Sequence, residues 1–375
     1  MRLSDDLIIA TSRGLYCPAG DFHIDPWRPV DRAIITHAHS DHARTGNRHY
    51  LASEAGAGVL RARLGDIDLQ TLPYGETLRI GAVDLSFHPA GHVLGASQVR
   101  IAHRGNVWVA SGDYKVAPDP TCAPFEPVRC DTFITESTFG LPIYRWDSPD
   151  RVFAGVNAWW AENAAAGRPS VVFCYAFGKA QRLLASVDAS IGPIVCHGAV
   201  ENLNKVYRDC GVVLPPTQRV QPPDAGSPRN ASTSDWSRAL VVAPPSAAGT
   251  PWLRRFNKHG AYRDAFASGW MRLRGARRRR GVDHGFVLSD HADWPGLLQA
   301  IDATGASRVI VTHGHTAPLV RWLTEHGYEA GNFETAYTGD EGEDGTESQL
   351  ATANITGNDA APPEGAAPSI GTMHR

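Results

Sequence analysis

Thr36-His37-Ala38-His39-Ser40-Asp41-His42 follows directly on the apolar run Ala33-Ile34-Ile35. Three histidines and an aspartate thus fall within six residues at the end of a strand-like segment. On a turn leaving a strand, His37 and His39 can aim at one point while Asp41 and His42 aim at a neighbouring one. Neutral imidazole combined with carboxylate suits zinc, manganese or iron better than calcium. The stretch reads as a metal-binding loop, and the rest of the chain is read outward from it.

At 375 residues the chain is long enough for two domains with cores of their own. Its hydrophobic content of 42% is that of a globular protein, and no apolar run approaches the ~20 residues of a membrane span. Met1-Arg2-Leu3-Ser4-Asp5-Asp6 lacks the basic and apolar regions of a signal peptide. Cysteines at 17, 122, 130, 174, 196 and 210 form no CxxC pair, so reduced, buried thiols and a cytoplasmic location are expected.

The net charge of −3 conceals an uneven distribution. Residues 338–375 hold seven acids against Arg375 alone, without apolar periodicity, and are expected to be a disordered acidic tail. Residues 205–282 hold fifteen Lys or Arg against four acids, an electrostatic footprint for a polyanion.

Leu7-Ile8-Ile9 and Phe22-His23-Ile24 read as strands before the metal loop, the second ending at Asp25. Leu78-Arg79-Ile80 and Val83-Asp84-Leu85-Ser86-Phe87 alternate in strand fashion. His92 follows in Pro89-Ala90-Gly91-His92-Val93-Leu94-Gly95, where glycines let backbone pass close to a site. A further strand, Asn106 to Ala110, runs into Ser111-Gly112-Asp113, and Thr132-Phe133-Ile134 into Thr135-Glu136-Ser137-Thr138.

Residues 151–284 read as an inserted α/β domain. Val152 to Ala166 is helix-like, and Val171 to Tyr175, Ile194-Val195-Cys196 and Leu240 to Pro245 are strand-like. Gly178-Lys179, between strand and helix, either receives a phosphate on backbone N–H groups or is a plain turn. Pro215 to Asp235 reads as loop. Arg272, Arg274 and the run Arg277-Arg278-Arg279-Arg280 precede Leu288-Ser289-Asp290-His291-Ala292-Asp293-Trp294, and the strand Arg308 to Val311 leads into Thr312-His313-Gly314.

The HxHxDH stretch, the GH turn at His92 and the strand-end Asp113 resemble the metallo-β-lactamase superfamily. The glutamate in Thr135-Glu136-Ser137-Thr138, the insert, Ser289-Asp290-His291-Ala292-Asp293 and Thr312-His313-Gly314 come in the order of the β-CASP nucleases. Among these the chain looks most similar to bacterial ligase-associated DNA damage response exonucleases. The resemblance covers residues 7–337. It implies an αββα metallo-β-lactamase sandwich (1–150 and 285–337) carrying an inserted α/β β-CASP domain (151–284), with 338–375 as tail.

It also implies two divalent ions, zinc first with manganese as the alternative. His37, His39 and His92 would hold one, Asp41, His42 and His313 the other, and Asp113 would bridge them, with Asp25 supporting the loop. A metal pair activates water and neutralises a phosphate under attack. His291, oriented by Glu136, would act on the scissile phosphate as a general acid. Lys179 and the six arginines would grip the nucleic-acid backbone. His197 in Cys196-His197-Gly198 is a rival ligand, for which a structural role is expected.

The implied function is a single-strand-directed DNA exonuclease of repair, with an ATP-dependent DNA ligase and a helicase as partners and no membrane. Cross-link repair relatives generally lack the histidine corresponding to His313 whereas RNA-cleaving relatives have it, so an RNA-processing nuclease stays open. A small-ester or thioester hydrolase would need neither the insert nor its positive charge, and a degenerate scaffold would have lost ligands.

Overall fold

The computed structural model describes residues 6–220, 235–257 and 261–337. The acidic stretch 338–375 and most of the expected loop Pro215–Asp235 lie outside them. The first sheet follows chain order: β1 (Ile9–Thr11), β2 (Gly14–Cys17), β3 (Phe22–Ile24), β4 (Arg32–Ile35), β5 (His49–Ser53) and, after α1 (Ala57–Leu64), β6 (Leu69–Leu72). From β3 onward its strands run parallel.

A second sheet starts with β7 (Thr77–Ile80), β8 (Val83–Pro89), β9 (Ser97–His103), β10 (Asn106–Ala110) and β11 (Thr132–Ser137). The chain then leaves it for α2 (Pro149–Ala165) and a third sheet. That sheet is built by β12 (Ser170–Phe173), α3 (Lys179–Ser186), β13 (Ile194–Cys196), α4 (Gly198–Asp209), β14 (Gln218–Arg219) and β15 (Leu240–Ala243). It continues through the short α5 (Pro251–Arg254), β16 (Arg263–Ala267), α6 (Arg274–Arg280) and β17 (His284–Phe286). All its described pairings are parallel. After α7 (Trp294–Thr304) the chain returns with β18 (Arg308–Gly314), α8 (Thr316–Glu325) and β19 (Glu329–Asn332). β18 pairs in parallel with β11, Thr132 opposite Arg308, so about 170 residues of chain are looped out between neighbours in one sheet.

Strand side chains alternate between two faces, and here both faces are covered. In β4, Ile34 joins Leu85, Ile101 and Ile134 in a core shared by the first two sheets, whereas Ala33 and Ile35 face a second core. In that second core Phe133 and Val309 meet Leu297 and Ile301 of α7 and Leu319 of α8. The third sheet does likewise: Val172 and Val242 pack with Trp160 and Leu183, while Val171 and Val241 pack with Phe256 and Met271. Burial on both faces explains why β4, β12 and β15 read as nearly unbroken apolar runs. The strands expected around Ile9, Phe22, Ile34, Ile80, Leu85, Trp108, Phe133, Val172, Val195, Val242 and Ile310 all form. β2, β5, β6, β9, β14, β16, β17 and β19 were not anticipated; β14 corrects the expected loop Pro215–Asp235, because pairing of Gln218 and Arg219 with β13 makes a short strand there.

The six cysteines form no disulfide, but only Cys17, Cys174 and Cys196 are buried. Cys122 and Cys130 are half-buried and Cys210 is exposed, which corrects the expectation of six buried thiols: Cys210 caps the C-terminal end of α4 rather than sitting in a core. No described helix is long and apolar enough to cross a membrane.

β8, β10, β11 and β18 all point their carboxyl ends at one edge of the second sheet. Ligand sites in parallel α/β sheets form outside such ends. The turn after β8 is pressed into place by Gly91, at φ +73°, where a Cβ would lie 2.2 Å from the Lys115 carbonyl oxygen. Gly65 has a similar φ of +77° but nothing within 4 Å. Gly91→Ala is therefore expected to cost roughly 2 kcal/mol or more, from backbone strain plus the clash, and Gly65→Ala clearly less; denaturant unfolding of both variants measures the difference.

Candidate metal centre

The stretch 36–42 leaves the carboxyl end of β4 and faces residues from the ends of β8, β10, β11 and β18. His37, His39, His42, His92, Asp113 and His313 are all buried there. The carboxylate of Asp113 is central. Its Oδ2 lies 3.5 Å from His37 Nε2, 3.4 Å from His42 Nε2 and 3.9 Å from His92 Nε2, and its Oδ1 lies 3.0 Å from His313 Nε2. Ligand-type atoms of His37, His39, His92 and Asp113 gather within 4.8 Å of one another, as do those of His42, Asp113 and His313. Asp113 belongs to both groups. Asp41 joins neither; its Oδ2 stands 3.7 Å from His42 Nε2.

The partners on the far side of each ring decide which nitrogen faces inward. Asp25, at the end of β3 with φ 42°, takes the Thr36 N–H at 2.8 Å and the Thr36 hydroxyl at 2.5 Å. Its Oδ2 also accepts from His42 Nδ1 at 2.7 Å. The Thr36 oxygen in turn meets His37 Nδ1 at 3.0 Å. Thr312 repeats this device, donating to the Thr135 carbonyl while its oxygen meets His313 Nδ1 at 3.1 Å. His92 Nδ1 donates to the Asp290 carbonyl at 2.8 Å. Four rings are thus turned so that Nε2 points at Asp113. His39 is reversed, with Nδ1 3.0 Å from His92 Nε2. Such outer partners fix tautomer and orientation of ligating histidines.

Nε2 of His37, His42 and His313 and Oδ1 of Asp113 are buried without a hydrogen-bond partner. Orphaned buried polar atoms are costly, and here they converge. Nitrogen and carboxylate donors in this number fit a pair of divalent cations, and zinc or manganese suits the donor set.

For three of the rings electrostatics agree with a ligand role. Burial, joined by neighbouring imidazoles, holds His37, His39 and His92 below the usual histidine range, in the neutral form a metal requires. Burial acts the same way on His42, but Asp113, Asp41 and Asp25 outweigh it and push that ring well above its ordinary value. Asp113 is held far below the carboxylate range: His42 and His313 overcome its burial.

Beside this group, both oxygens of Glu136 lie 3.0 Å from His291 Nδ1. Glu136 is itself fixed by the Tyr114 N–H at 2.8 Å. Burial disfavours the imidazolium of His291, but Glu136 more than compensates and raises its pKa well above the usual value.

The other candidates are dispersed. Lys179 is fully buried, its Nζ 3.1 Å from Asp290 Oδ1 and 4.4 Å from the Tyr175 ring. The N–H groups of Gly178, Lys179 and Ala180 are taken by Gln181, Phe177 and Tyr175, which makes this segment a plain turn. Arg272, Arg274, Arg277, Arg278, Arg279 and Arg280 are exposed. Arg277 Nε donates to the Met271 carbonyl, and the Arg280 guanidinium lies 4.3 Å from the Phe266 ring. His197 caps α4, accepting from the Ala199 N–H at 3.2 Å.

Sequence reasoning passed over Thr36 and Thr312, although the dipeptide Thr-His recurs at two strand ends. Asp290 and Tyr337 were missed as well. Tyr337 stacks on His42 with centroids 4.5 Å apart and planes at 13°, and its hydroxyl donates to the Asp25 carbonyl at 3.2 Å.

No family model matches the chain. A probable DNA ligase of Opitutus terrae is 32% identical over 323 residues, which is 85% of this chain and 30% of that one. Ribonuclease TTHA0252 of Thermus thermophilus is 32% identical over 32% of this chain and 34% of its own. Endoribonuclease ysh1 of Aspergillus fumigatus is 30% identical over 32% of this chain and 14% of its own. The chain spans about a third or less of the length of each of these relatives. A solved protein of unknown function from Enterococcus faecalis shares the fold, with a TM-score of 0.54 at 11% identity over 80% of this chain and 78% of that one. The ribonuclease and endoribonuclease relatives support the metallo-β-lactamase/β-CASP superfamily for this chain, and with the buried His/Asp clusters they support divalent-metal binding.

Asp113→Ala removes the carboxylate common to both groups, so elemental analysis of the purified variant is expected to find less than one metal per chain. Asp25→Ala leaves every ligand in place but frees the His42 ring; metal affinity is expected to fall about 10- to 100-fold, read by titration with a chelating competitor.

Proposed function

We propose that this chain is a metal-dependent phosphodiester hydrolase, a β-CASP nuclease. Its fold is read as an αββα metallo-β-lactamase sandwich (1–150 and 285–337) with an inserted β-CASP domain (151–284). The observation that carries the reading is the juxtaposition of two unlike units: a carboxylate shared by two imidazole groups, and the Glu136–His291 pair beside it. A site made only to store metal would not need a charged, oriented imidazole next to the ligands.

His37, His39, His92 and Asp113 would hold one divalent ion, and Asp41, His42, His313 and Asp113 the other, zinc preferred and manganese the alternative. When bound, the pair supplies Lewis acidity to the phosphoryl group and to water. Asp113, reaching both groups with its two oxygens, sets their spacing. His291 places a proton at the leaving oxygen: its Nδ1 is engaged by Glu136, which leaves Nε2 for the substrate. Glu136 keeps that ring protonated and, being tied to the Tyr114 N–H, holds it in one orientation.

The substrate is proposed to be DNA, degraded from an end as a single strand, 5′→3′, in repair within the cytoplasm. The relative matched over most of this chain is named for DNA ligation, which supports DNA as substrate and a DNA ligase as partner; the ATP dependence of that ligase and a helicase partner rest on the family resemblance alone. The second reading is an RNA-processing nuclease, favoured by His313 and by the ribonuclease names of two shorter matches. End-labelled single-stranded DNA and RNA, incubated with and without chelator, separate the two. DNA shortened from one end only in the presence of metal is the expected outcome, and RNA alone being cut would replace it. His291→Ala is expected to retain metal while turnover falls ~100-fold or more; loss of a metal equivalent in that variant would assign His291 to the ligands instead.

A further inference from the structure

Phe139 follows the Glu136 turn and lies buried with its ring 6.0 Å from that of His291. Around it gather Tyr144, Trp146 and Trp270, each at a centroid distance of 4.8 Å. His315, two residues after His313, stacks with Tyr144 at 5.9 Å and stands 6.2 Å from Trp270. The rings come from three separate parts of the chain: the segment after β11, the turn Gly269–Arg272 in the third-sheet unit, and the start of α8. Phe139 and Tyr144 are buried, whereas Trp146, Trp270 and His315 keep part of their surface in solvent.

A purely structural seam between two units would be closed and flanked by neutral residues. This one keeps part of three rings in solvent and carries positive charge. Arg145 sits between Tyr144 and Trp146, Arg272 lies two residues beyond Trp270, and both are exposed, as is Ile143 at 54%. Partly exposed rings interleaved with arginines match the chemistry of an unpaired polynucleotide, whose phosphates are anionic and whose bases offer free π-faces. A duplex has no such faces to offer, because its bases are already stacked on each other. Trp146 also binds the reactive segment directly, its Nε1 donating to the His291 carbonyl at 3.0 Å.

We propose that Trp270, with Trp146 and His315, forms a stacking subsite for unpaired bases of a nucleic-acid strand whose phosphate lies at His291. The proposal rests on the nuclease reading and deepens it by giving a reason for single-strand preference. Base stacking on an aromatic ring changes affinity by about 5- to 150-fold when the ring is removed, and it needs the base, not the sugar or phosphate.

The test compares a base-bearing oligonucleotide with an abasic strand of the same length, as DNA and as RNA, by fluorescence anisotropy. Full-length protein carrying His291→Ala in every arm slows cleavage ~100-fold or more, so that binding is read before the strand is degraded, which a gel of the recovered strand checks. Adding Trp270→Ala is expected to weaken binding of the base-bearing strand at least 5-fold and leave the abasic strand within 2-fold, while adding Trp270→Phe restores most of the loss. The polymer that shows the loss, DNA or RNA, identifies the source of the bases. An equal loss on both strands, or no loss on either, overturns the subsite. If the parent protein binds no strand at all, the nucleic-acid reading fails along with it, an outcome distinguishable from failure of the subsite alone. An unchanged thermal midpoint for Trp270→Phe guards against misfolding as the cause.

Discussion

A buried carboxylate facing four imidazole nitrogens is the constraint on which the structure turns. Asp113 is surrounded by His37, His42, His92 and His313 at 3.0 to 3.9 Å, all of them buried. Bringing such groups out of solvent is expensive, and mutual repulsion among protonated rings would add to the cost. The arrangement is tolerable only if most rings stay neutral and their lone pairs meet a common cation. The supporting hydrogen bonds serve that end. Thr36, Thr312, Asp25 and the Asp290 carbonyl each occupy an outward Nδ1, so that the inward nitrogens are acceptors. Remove the cation and the protein is left with several buried lone pairs aimed at one another; metal binding and the stability of this region are therefore coupled.

Topology delivers these residues without long side chains having to reach. Since β8, β10, β11 and β18 end at one edge, Asp113, Glu136 and His313 arrive there from three adjacent strands and His92 from β8, one strand removed, and the loop after β4 closes the gap from the first sheet. The third-sheet unit is fastened to the same place by buried charge. Lys179 of α3 pairs with Asp290, and Arg182 on the same helix contacts Asp119 at 3.2 Å and the Ser289 carbonyl. Asp290 is next to His291, and its carbonyl holds His92. A shift of α3 would therefore disturb a proposed proton donor and a ligand together. This is a physical reason for Lys179 to be buried rather than exposed to substrate: its charge stabilises Asp290, whose carboxyl Lys179 and the nearby imidazoles hold below the usual range despite burial.

How much of this was legible in the sequence depended on range. The loop 36–42 was plain because four ligand-type residues stand together behind an apolar strand, and strands buried on both faces announced themselves as apolar runs. β9 carried a readable alternation in Val99 and Ile101 and was simply passed over. β2, β14 and β19 are short or polar, and neighbouring strands rather than their own side chains define them. The two sheets sharing one core could not be read from any single segment, because it depends on Ile34 meeting Leu85 and Ile134 across a long separation. Lys179 was read as a candidate nucleic-acid contact because its sequence neighbourhood is compatible with a phosphate turn as well as a plain one; the distant Asp290 that pairs with it is what decides. Asp290 itself was quoted as part of a motif, but its carbonyl, the group that orients His92, is invisible to a reading based on side chains.

Tyr337 shows how a residue outside every motif becomes part of such a centre. The phenol is the last described residue, and its ring lies flat on His42 while standing edge-on to His313 at 5.4 Å. Its hydroxyl reaches the carbonyls of Ile24 and Asp25. The Asp25 side chain already holds His42 from one side, so the same aspartate is gripped through its backbone by the residue that covers the ring. The His42 side of the centre is thereby covered by an aromatic face. The His291 side is bordered by the partly open ring cluster with its arginines. The partly exposed rings thus lie on the flank where the buried Glu136–His291 pair stands, the flank from which the proposed substrate would approach.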